Sequence, residues 1–484
     1  MEQPQVAKAR AMKPRAFALE LTKGCNLRCG YCYYADRDNA YDPKTRMSRE
    51  VAEGAVDLLL AQEPREEPAH IHLFGGEPLL DFPLLRAIVH YGEEHAAALG
   101  KPLTFEVTTN GTRLEPDVIA FLNAHRVSVG VSFDGPPEIQ DLARPLAHGS
   151  SYALAAPKIR ALLASRAGTD LEDKTHCSVV LTRVDFDLVK ITRHLEELGF
   201  KKIVISPATD LAGRSHGFRE EDIPRLEEAF DALAAEYERA LLEGRAVATN
   251  WFPRLMGRLL SGERRMHFCR GGLDYLGVSA DGGVSLCYRF FEDPRYSMGS
   301  VQTGIERGVT ERLLAQPADE RTVCSRCWAR YFCGGGCHHD NLATTGATFE
   351  PNPIACDIFR HSMGRTLETW ARLSRAARFP RRRATGTPTT VTDEPIRDDA
   401  RPARTGDVHL RDLGGEQVLY HPASHEVVVL NETAAFIYGL CDGTRSVAEL
   451  LQTLQRRYDA PEERLRSDLI GVLRDLRGRQ LVSG

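Results

Sequence analysis

Between Phe17 and about Pro207 the chain alternates six times between a short apolar or β-rich run and a segment with helical spacing. This alternation limits the possible folds more than any other feature. A strand that returns parallel to its neighbour needs a crossover of a dozen or more residues, usually a helix. The strand readings are Ala16–Leu21, Ile71–Phe74, Leu103–Thr109, Val127–Phe133, Cys177–Leu181 and Lys202–Ile205. The helical readings are Met47–Ala61, with Ser48 as N-cap, then Phe82–Leu99, Pro116–His125, Ser151–Ser165 and Leu188–Leu198. Gly75-Gly76, Asn110-Gly111 and Asp134-Gly135-Pro136 stop three of the strands. The class is therefore α/β with a parallel sheet. A closed eight-fold barrel takes about 250 residues, so this shorter stretch predicts a partial barrel of six βα units.

The remainder divides by composition. Glu220–Leu260 reads as mainly helical, and His267–Asp357 is rich in cysteine and glycine and poor in long apolar runs. Such a segment is expected to draw on metal for its fold. An amphipathic helix over Phe359–Ala377 closes it. Pro380–Asp407 holds three consecutive arginines, a Thr/Pro tract and several acids, with little apolar content, and reads as a flexible linker. The last 80 or so residues read as three short strands, Val408–Leu410, Gln417–His421 and Glu426–Leu430. Helices Glu432–Cys441, Val447–Tyr458 and Glu462–Arg477 follow them. The predicted domains are 1–260, 261–377, a linker over 378–407, and 408–484.

Twelve cysteines sit unevenly in a chain of 484 residues. No apolar stretch reaches the 18 or so residues of a membrane span, and Met1–Lys13 lacks the apolar segment of a secretory signal. The reading is cytoplasmic, where thiols stay reduced and clustered cysteines point to metal rather than bridges. A net charge of −5 argues against general nucleic-acid binding. Neither nucleic acid nor membrane is expected as a partner.

Cys25, Cys29 and Cys32 lie at C-x3-C-x2-C spacing directly after the first strand. Three thiolates on one loop suit three irons of a 4Fe–4S cube and leave the fourth iron open for a small molecule. A three-cysteine zinc site is the alternative on spacing alone, but no fourth ligand stands at finger distance. The loop, including the aromatic Tyr31, resembles the signature of the radical S-adenosylmethionine enzymes. Gly75-Gly76-Glu77-Pro78 resembles that family's second motif, which binds the methionine amino group. The resemblance implies a partial (βα)6 barrel with its site at the C-terminal strand ends. It also implies that Asn110 and Ser132 approach the ribose or carboxylate of S-adenosylmethionine, although both are equally good turn formers. The implied chemistry is reductive cleavage of S-adenosylmethionine to a 5′-deoxyadenosyl radical that abstracts a hydrogen. A flavodoxin- or ferredoxin-type donor would supply the electron. Gln140-Asp141 stands where relatives often have a histidine before the aspartate, and it is given no role.

Seven further cysteines are Cys269, Cys287, Cys324, Cys327, Cys333, Cys337 and Cys356. Seven exceed what one four-coordinate metal needs. The core C-x2-C-x5-C-x3-C spacing alone also fits a zinc ribbon. The whole pattern resembles the SPASM extension of radical S-adenosylmethionine enzymes, which holds two auxiliary 4Fe–4S clusters. The resemblance assigns Cys269, Cys287 and Cys337 to the first and Cys324, Cys327, Cys333 and Cys356 to the second, giving three clusters in all. It departs at one point: relatives have an extra cysteine shortly before the Cys269 position, and Leu255–Phe268 has none. Either the first auxiliary cluster has an open iron there, or His267 or another residue fills the place.

Leu430–Thr444 resembles the small winged-helix peptide chaperone of pyrroloquinoline quinone biosynthesis. Such modules recognise ribosomally made precursor peptides, whose leader adds a strand to the sheet edge. The linker would raise the effective concentration of the bound core at the site. The combined reading is a maturase that modifies a precursor peptide, by a thioether or a carbon–carbon crosslink. The alternatives are a sulfatase-maturase type that forms formylglycine, and a non-catalytic electron-transfer scaffold.

Overall fold

Six parallel strands form the centre of the structure: β1 (Ala16–Glu20), β2 (Ala69–Phe74), β3 (Leu103–Thr109), β4 (Ser128–Ser132), β5 (Thr175–Leu181) and β6 (Ile203–Pro207). They lie side by side in chain order. The computed structural model describes residues 13–34, 41–62, 68–209, 216–375, 395–406, 408–412, 417–421 and 426–483. Helices cross between successive strands, including Arg49–Leu60, Phe82–Ala98, Pro116–Ala124, Ser151–Arg166 and Leu188–Leu198. Ser48 caps the first of these by accepting from the Val51 N–H at 3.2 Å. Alternate strand residues such as Phe17, Leu19, Ile71, Leu73, Val129 and Val131 are buried and fill the core. This is the α/β partial barrel that the alternation predicts.

Two features of this part go beyond the sequence reading. A short helix, Pro137–Ala143, follows the Asp134-Gly135-Pro136 turn. The cysteine-rich region also contains strands β7 (Tyr275–Val278), β8 (Gly283–Ser285), β9 (Ser297–Ser300) and β10 (Gly304–Ile305). β7 runs parallel to β1, and β8 to β10 continue the sheet as an antiparallel meander. The region therefore has an ordered backbone frame of its own. The four strands are short and glycine-containing, so they leave no apolar period in the sequence.

The chain divides into two compact units. The first comprises Met1–Arg254, Arg265–Ser325 and Cys333–Phe359; the second comprises Leu255–Arg264, Arg326–Phe332 and Arg360–Gly484. In the second unit, β12 (His409–Asp412), β13 (Gln417–His421) and β14 (Glu426–Leu430) form a three-stranded antiparallel sheet. Helices Glu432–Leu440, Val447–Arg457 and Glu462–Gly478 follow, in the order read from the sequence. Leu419, Val428, Leu430, Leu450, Leu469 and Leu473 share the module's core.

Residues 378–394 and 407 of the predicted linker lie outside the described residues. Residues 395–406 belong to the module: β11 (Ala403–Arg404) pairs with β15 (Val482–Ser483), and the Val447 N–H donates to the Ala400 carbonyl at 2.9 Å. The other face of the sheet packs within the same unit on Arg326–Phe332. His409 stacks on Trp328 with ring centres 3.6 Å apart, and Tyr420 lies 4.7 Å from Phe332. The sheet of the module is thus packed on Trp328 and Phe332.

Candidate active site

The loop Thr22–Cys32 leaves β1 and lies directly on Gly75-Gly76 at the end of β2. The Gly76 N–H donates to the Thr22 carbonyl at 2.7 Å and the Glu77 N–H to the Gly24 carbonyl at 2.8 Å. A Cβ on Gly76 would stand 2.3 Å from the Gly24 oxygen, and one on Gly75 would stand 2.4 Å from the Thr22 oxygen. Gly75 also has φ of +142°, a conformation that favours glycine. The glycine pair is therefore what lets the cysteine loop approach the strand end. The far side of the loop is fixed to the segment after the Pro137–Ala143 helix: the Arg28 N–H donates to Pro145 and the Gly30 N–H to Ala143.

Cys25, Cys29 and Cys32 line a cavity of about 210 Å³ with Tyr31, Gly75, Gly76, Asn110 and Ser132. Those sequence-predicted residues thus come together. Glu77 and Pro78 do not line it. Glu77 is wholly buried, and its carboxylate accepts from Thr109 Oγ1 at 2.8 Å, from the Asn110 N–H at 2.7 Å and from the Leu79 N–H at 3.1 Å. It ties the end of β2 to the end of β3, with Pro78 opening the short helical turn that follows. Burial raises the Glu77 carboxyl to about 7, against the pull of those three bonds. The Asn110 amide donates to Asn26 Oδ1 at 2.9 Å and points toward Cys25 Sγ at 3.9 Å, so it steadies the cysteine loop from β3.

Sequence reasoning missed Arg144 and Asp134. Asp134 is buried at the end of β4, and it accepts from Tyr31 Oη at 2.5 Å, from Arg144 Nε at 2.9 Å and from the Val180 N–H at 2.9 Å. Arg144 lines the cavity and lies 3.9 Å from Cys29 Sγ. It places a fixed positive charge beside the cysteines, with donors suited to a carboxylate. Gln140 holds the Asp134 N–H at 2.8 Å, and Asp141 accepts from the Tyr152 N–H in the first turn of Ser151–Arg166; both are structural.

The donor set fits an iron–sulfur cluster. All twelve cysteines are free thiols. Desolvation pushes Cys25 and Cys29 up to about 12, with Arg144 pulling the other way. Buried thiols of this kind become thiolates when a cation occupies the place between them.

A second cavity of about 920 Å³ is lined by Cys269, Cys287, Cys333, Cys337 and Cys356, together with Arg289 and Asp340. Gly334, Gly335 and Gly336, between Cys333 and Cys337, all have φ between +77° and +94°. Left-handed turns in succession bring the two cysteines to one side, which explains the glycine run. Cys324 is buried and outside this lining, and Cys327 lies in the second unit. His267 does not line the cavity either. Cys177 and Cys441 are buried apolar thiols, as the sequence suggests. Among the described residues no helix is long and apolar enough to cross a membrane.

A partial parallel barrel with three free cysteines and a glycine pair meeting at its strand ends resembles the arrangement expected from the radical S-adenosylmethionine motifs. The radical SAM superfamily model matches residues 19–168, and that of coenzyme PQQ synthesis protein D (PqqD) matches residues 416–482. The chain carries a radical SAM domain and a PqqD domain. It is 24% identical to the cysteine-type anaerobic sulfatase-maturating enzyme of Clostridium perfringens strain 13, over 65% of this chain and 86% of that protein. An uncharacterized protein of Methanocaldococcus jannaschii is 32% identical over 28% of this chain, which spans only 44% of that relative's length. In fold, the AdoMet-bound structure of native anSMEcpe aligns with a TM-score of 0.62 at 21% identity, covering 75% of this chain and 99% of that one. Streptococcus suis SuiB bound to precursor peptide SuiA aligns with a TM-score of 0.52 at 12% identity, covering 72% and 78%.

Proposed function

We propose that this enzyme modifies a ribosomally made precursor peptide, forming a thioether or a carbon–carbon crosslink in its core while the PqqD domain holds its leader. The observation that carries this reading is the presence in one chain of the Cys25–Cys29–Cys32 cavity and of a three-stranded sheet whose strands β13 and β14 fall within the PqqD match. Among the described residues nothing pairs with the outer edges of β12 and β14. An open edge offers main-chain bonds to an extended peptide. The likeness in fold to SuiB, whose structure holds a precursor peptide, supports it.

Cys25, Cys29 and Cys32 would hold a 4Fe–4S cluster that, with S-adenosylmethionine, supplies a 5′-deoxyadenosyl radical. The protein's part is placement. Gly75, Asn110 and Glu77 fix the cysteine loop against the ends of β2 and β3. Arg144 presents its charge to an anionic group of the ligand. Tyr33, Phe74 and Tyr288, whose rings lie 4.5–6.4 Å apart, form an aromatic wall that limits water. Two auxiliary clusters on the seven later cysteines, a flavodoxin- or ferredoxin-type donor and a cytoplasmic location complete the reading.

A second reading, oxidation of a Ser or Cys to formylglycine, is favoured by the match that covers 86% of the clostridial maturase. A quarter of this chain lies outside the aligned part of anSMEcpe, and the leader-binding reading gives that extra length a purpose. Co-expression with short open reading frames adjoining the gene separates the two. Loss of two hydrogens with a new crosslink in the peptide, abolished by Cys25→Ala, supports the proposal. Formylglycine in a sulfatase, with no change in any such peptide, overturns it.

A further inference from the structure

We infer that Asp340 is the fourth protein ligand of the first auxiliary cluster, completing the set Cys269, Cys287 and Cys337. The inference rests on the reading that these three cysteines hold a cluster, and it fills the position that the sequence leaves without a cysteine.

All four residues line the second cavity. Asp340 lies three residues after Cys337, in the first turn of the helix His338–Thr345, so both face the same side of the chain. Its N–H donates to Cys337 Sγ, and its carboxylate shares a hydrogen bond with that thiol. Arg289, two residues after Cys287, donates to Asp340 Oδ1, and His339 Nδ1 lies 3.5 Å from the same oxygen. The carboxylate is thus fixed beside Cys337 at the wall of the second cavity. The Asp340 charge bears on all three thiols.

The competing candidates face elsewhere. His267 is absent from the cavity lining, and its backbone lies against Gly334, where a Cβ would be 2.4 Å away. Its charged neighbour is Arg321, and it borders His338. Tyr288 lines the cavity, but its ring is taken up by Phe74 at 4.5 Å and Tyr275 at 6.4 Å.

A carboxylate oxygen is a harder ligand than a thiolate and binds iron more loosely. Asp340 and Arg289 also line the first cavity, so the loosest position of this cluster faces the site of reaction. The ligand count then closes. Three cubes have twelve irons; ten cysteines and Asp340 hold eleven, and the last is the S-adenosylmethionine position.

The test uses the reconstituted full-length enzyme carrying 13C at its aspartate carboxyl carbons. Electron–nuclear double resonance on the reduced auxiliary signal should show a 13C coupling, and Asp340→Asn should remove it. Asp340→Cys, which restores a thiolate, should keep the full iron content and move that cluster's midpoint potential to a more negative value. Absence of the coupling in the wild type, or its persistence in Asp340→Asn, overturns the assignment. So does an unchanged potential in Asp340→Cys. Cys287→Ala distinguishes the deeper failure: if it costs no iron, these cysteines hold no cluster and the premise itself is wrong.

Discussion

Gly76→Ala is the substitution whose effect follows most directly from geometry. Its Cβ would sit 2.3 Å from the Gly24 oxygen and 2.6 Å from the Lys23 oxygen, both backbone atoms that no rotamer change can move aside. The loop would have to retreat by about 1 Å to reach ordinary van der Waals separation. That retreat breaks the bonds to the Thr22 and Gly24 carbonyls, 2.7 and 2.8 Å long, at about 1 kcal/mol each. Residual overpacking adds about 1–2 kcal/mol. The sum, about 3–4 kcal/mol, corresponds to a fall in Tm of roughly 6–16 °C for a domain of this size. The displaced loop also carries Cys25, so reductive cleavage should fall by about 10²-fold, the usual effect of a 1 Å misplacement. Anaerobic scanning fluorimetry reads the first effect. The rate of 5′-deoxyadenosine formation and the change in the cluster's EPR spectrum on adding S-adenosylmethionine read the second. A Gly76→Ala enzyme with wild-type Tm and wild-type cleavage rate would refute the claim that the glycine pair exists to admit the cysteine loop.

Glu77 should give stability a pH dependence. Its carboxyl is raised from 4.5 to about 7, chiefly by burial, so the folded state favours the neutral form. That contribution, about 3 kcal/mol, is fully present below pH 4.5 and lost as pH rises to 7; urea midpoints between pH 5 and 8 should slope down in the wild type and flatten in Glu77→Gln. Arg144→Met should cost about 3–5 kcal/mol by leaving the buried Asp134 carboxylate without its cation, with partial recovery in Arg144→Lys, as read by urea denaturation. Ser446 caps the helix Val447–Arg457 in a capping box with Glu449, so Ser446→Ala should lower stability of the second unit by about 1 kcal/mol, measurable by hydrogen exchange in that helix.

Much of this architecture was legible because the residues that build it carry a period. Leu103–Thr109 and Gln417–His421 show alternation or β-branched density over five residues or more, and the strands fall where that pattern puts them. The cysteine loop and the glycine pair were legible because their spacing is local. β7 to β10 were not, since strands of two to four residues containing glycine have no room for a period. The Pro137–Ala143 helix did leave a signal, a proline at its first position, which the turn before it obscured. Polar composition hid residues 395–406, whose bonds are mostly main-chain and therefore independent of side-chain type. Arg144 and Asp340 belong to sites through the fold alone. Arg144 is more than a hundred residues from Cys29 in sequence, and a buried arginine looks like any surface one until its carboxylate is in place. Glu77 was read as a ligand contact, and its bonds to Thr109 and Asn110, which the sequence did not signal, add the part of a brace between the ends of β2 and β3.

The central claim is that Cys25, Cys29 and Cys32 form the site where S-adenosylmethionine is cleaved reductively. Chromatographic detection of 5′-deoxyadenosine after anaerobic reconstitution, with dithionite and S-adenosylmethionine added, tests it most directly. The account predicts that it forms in the wild type and is absent in Cys25→Ala. A wild-type enzyme with its full iron content that yields none, or a Cys25→Ala enzyme that yields as much, would contradict it.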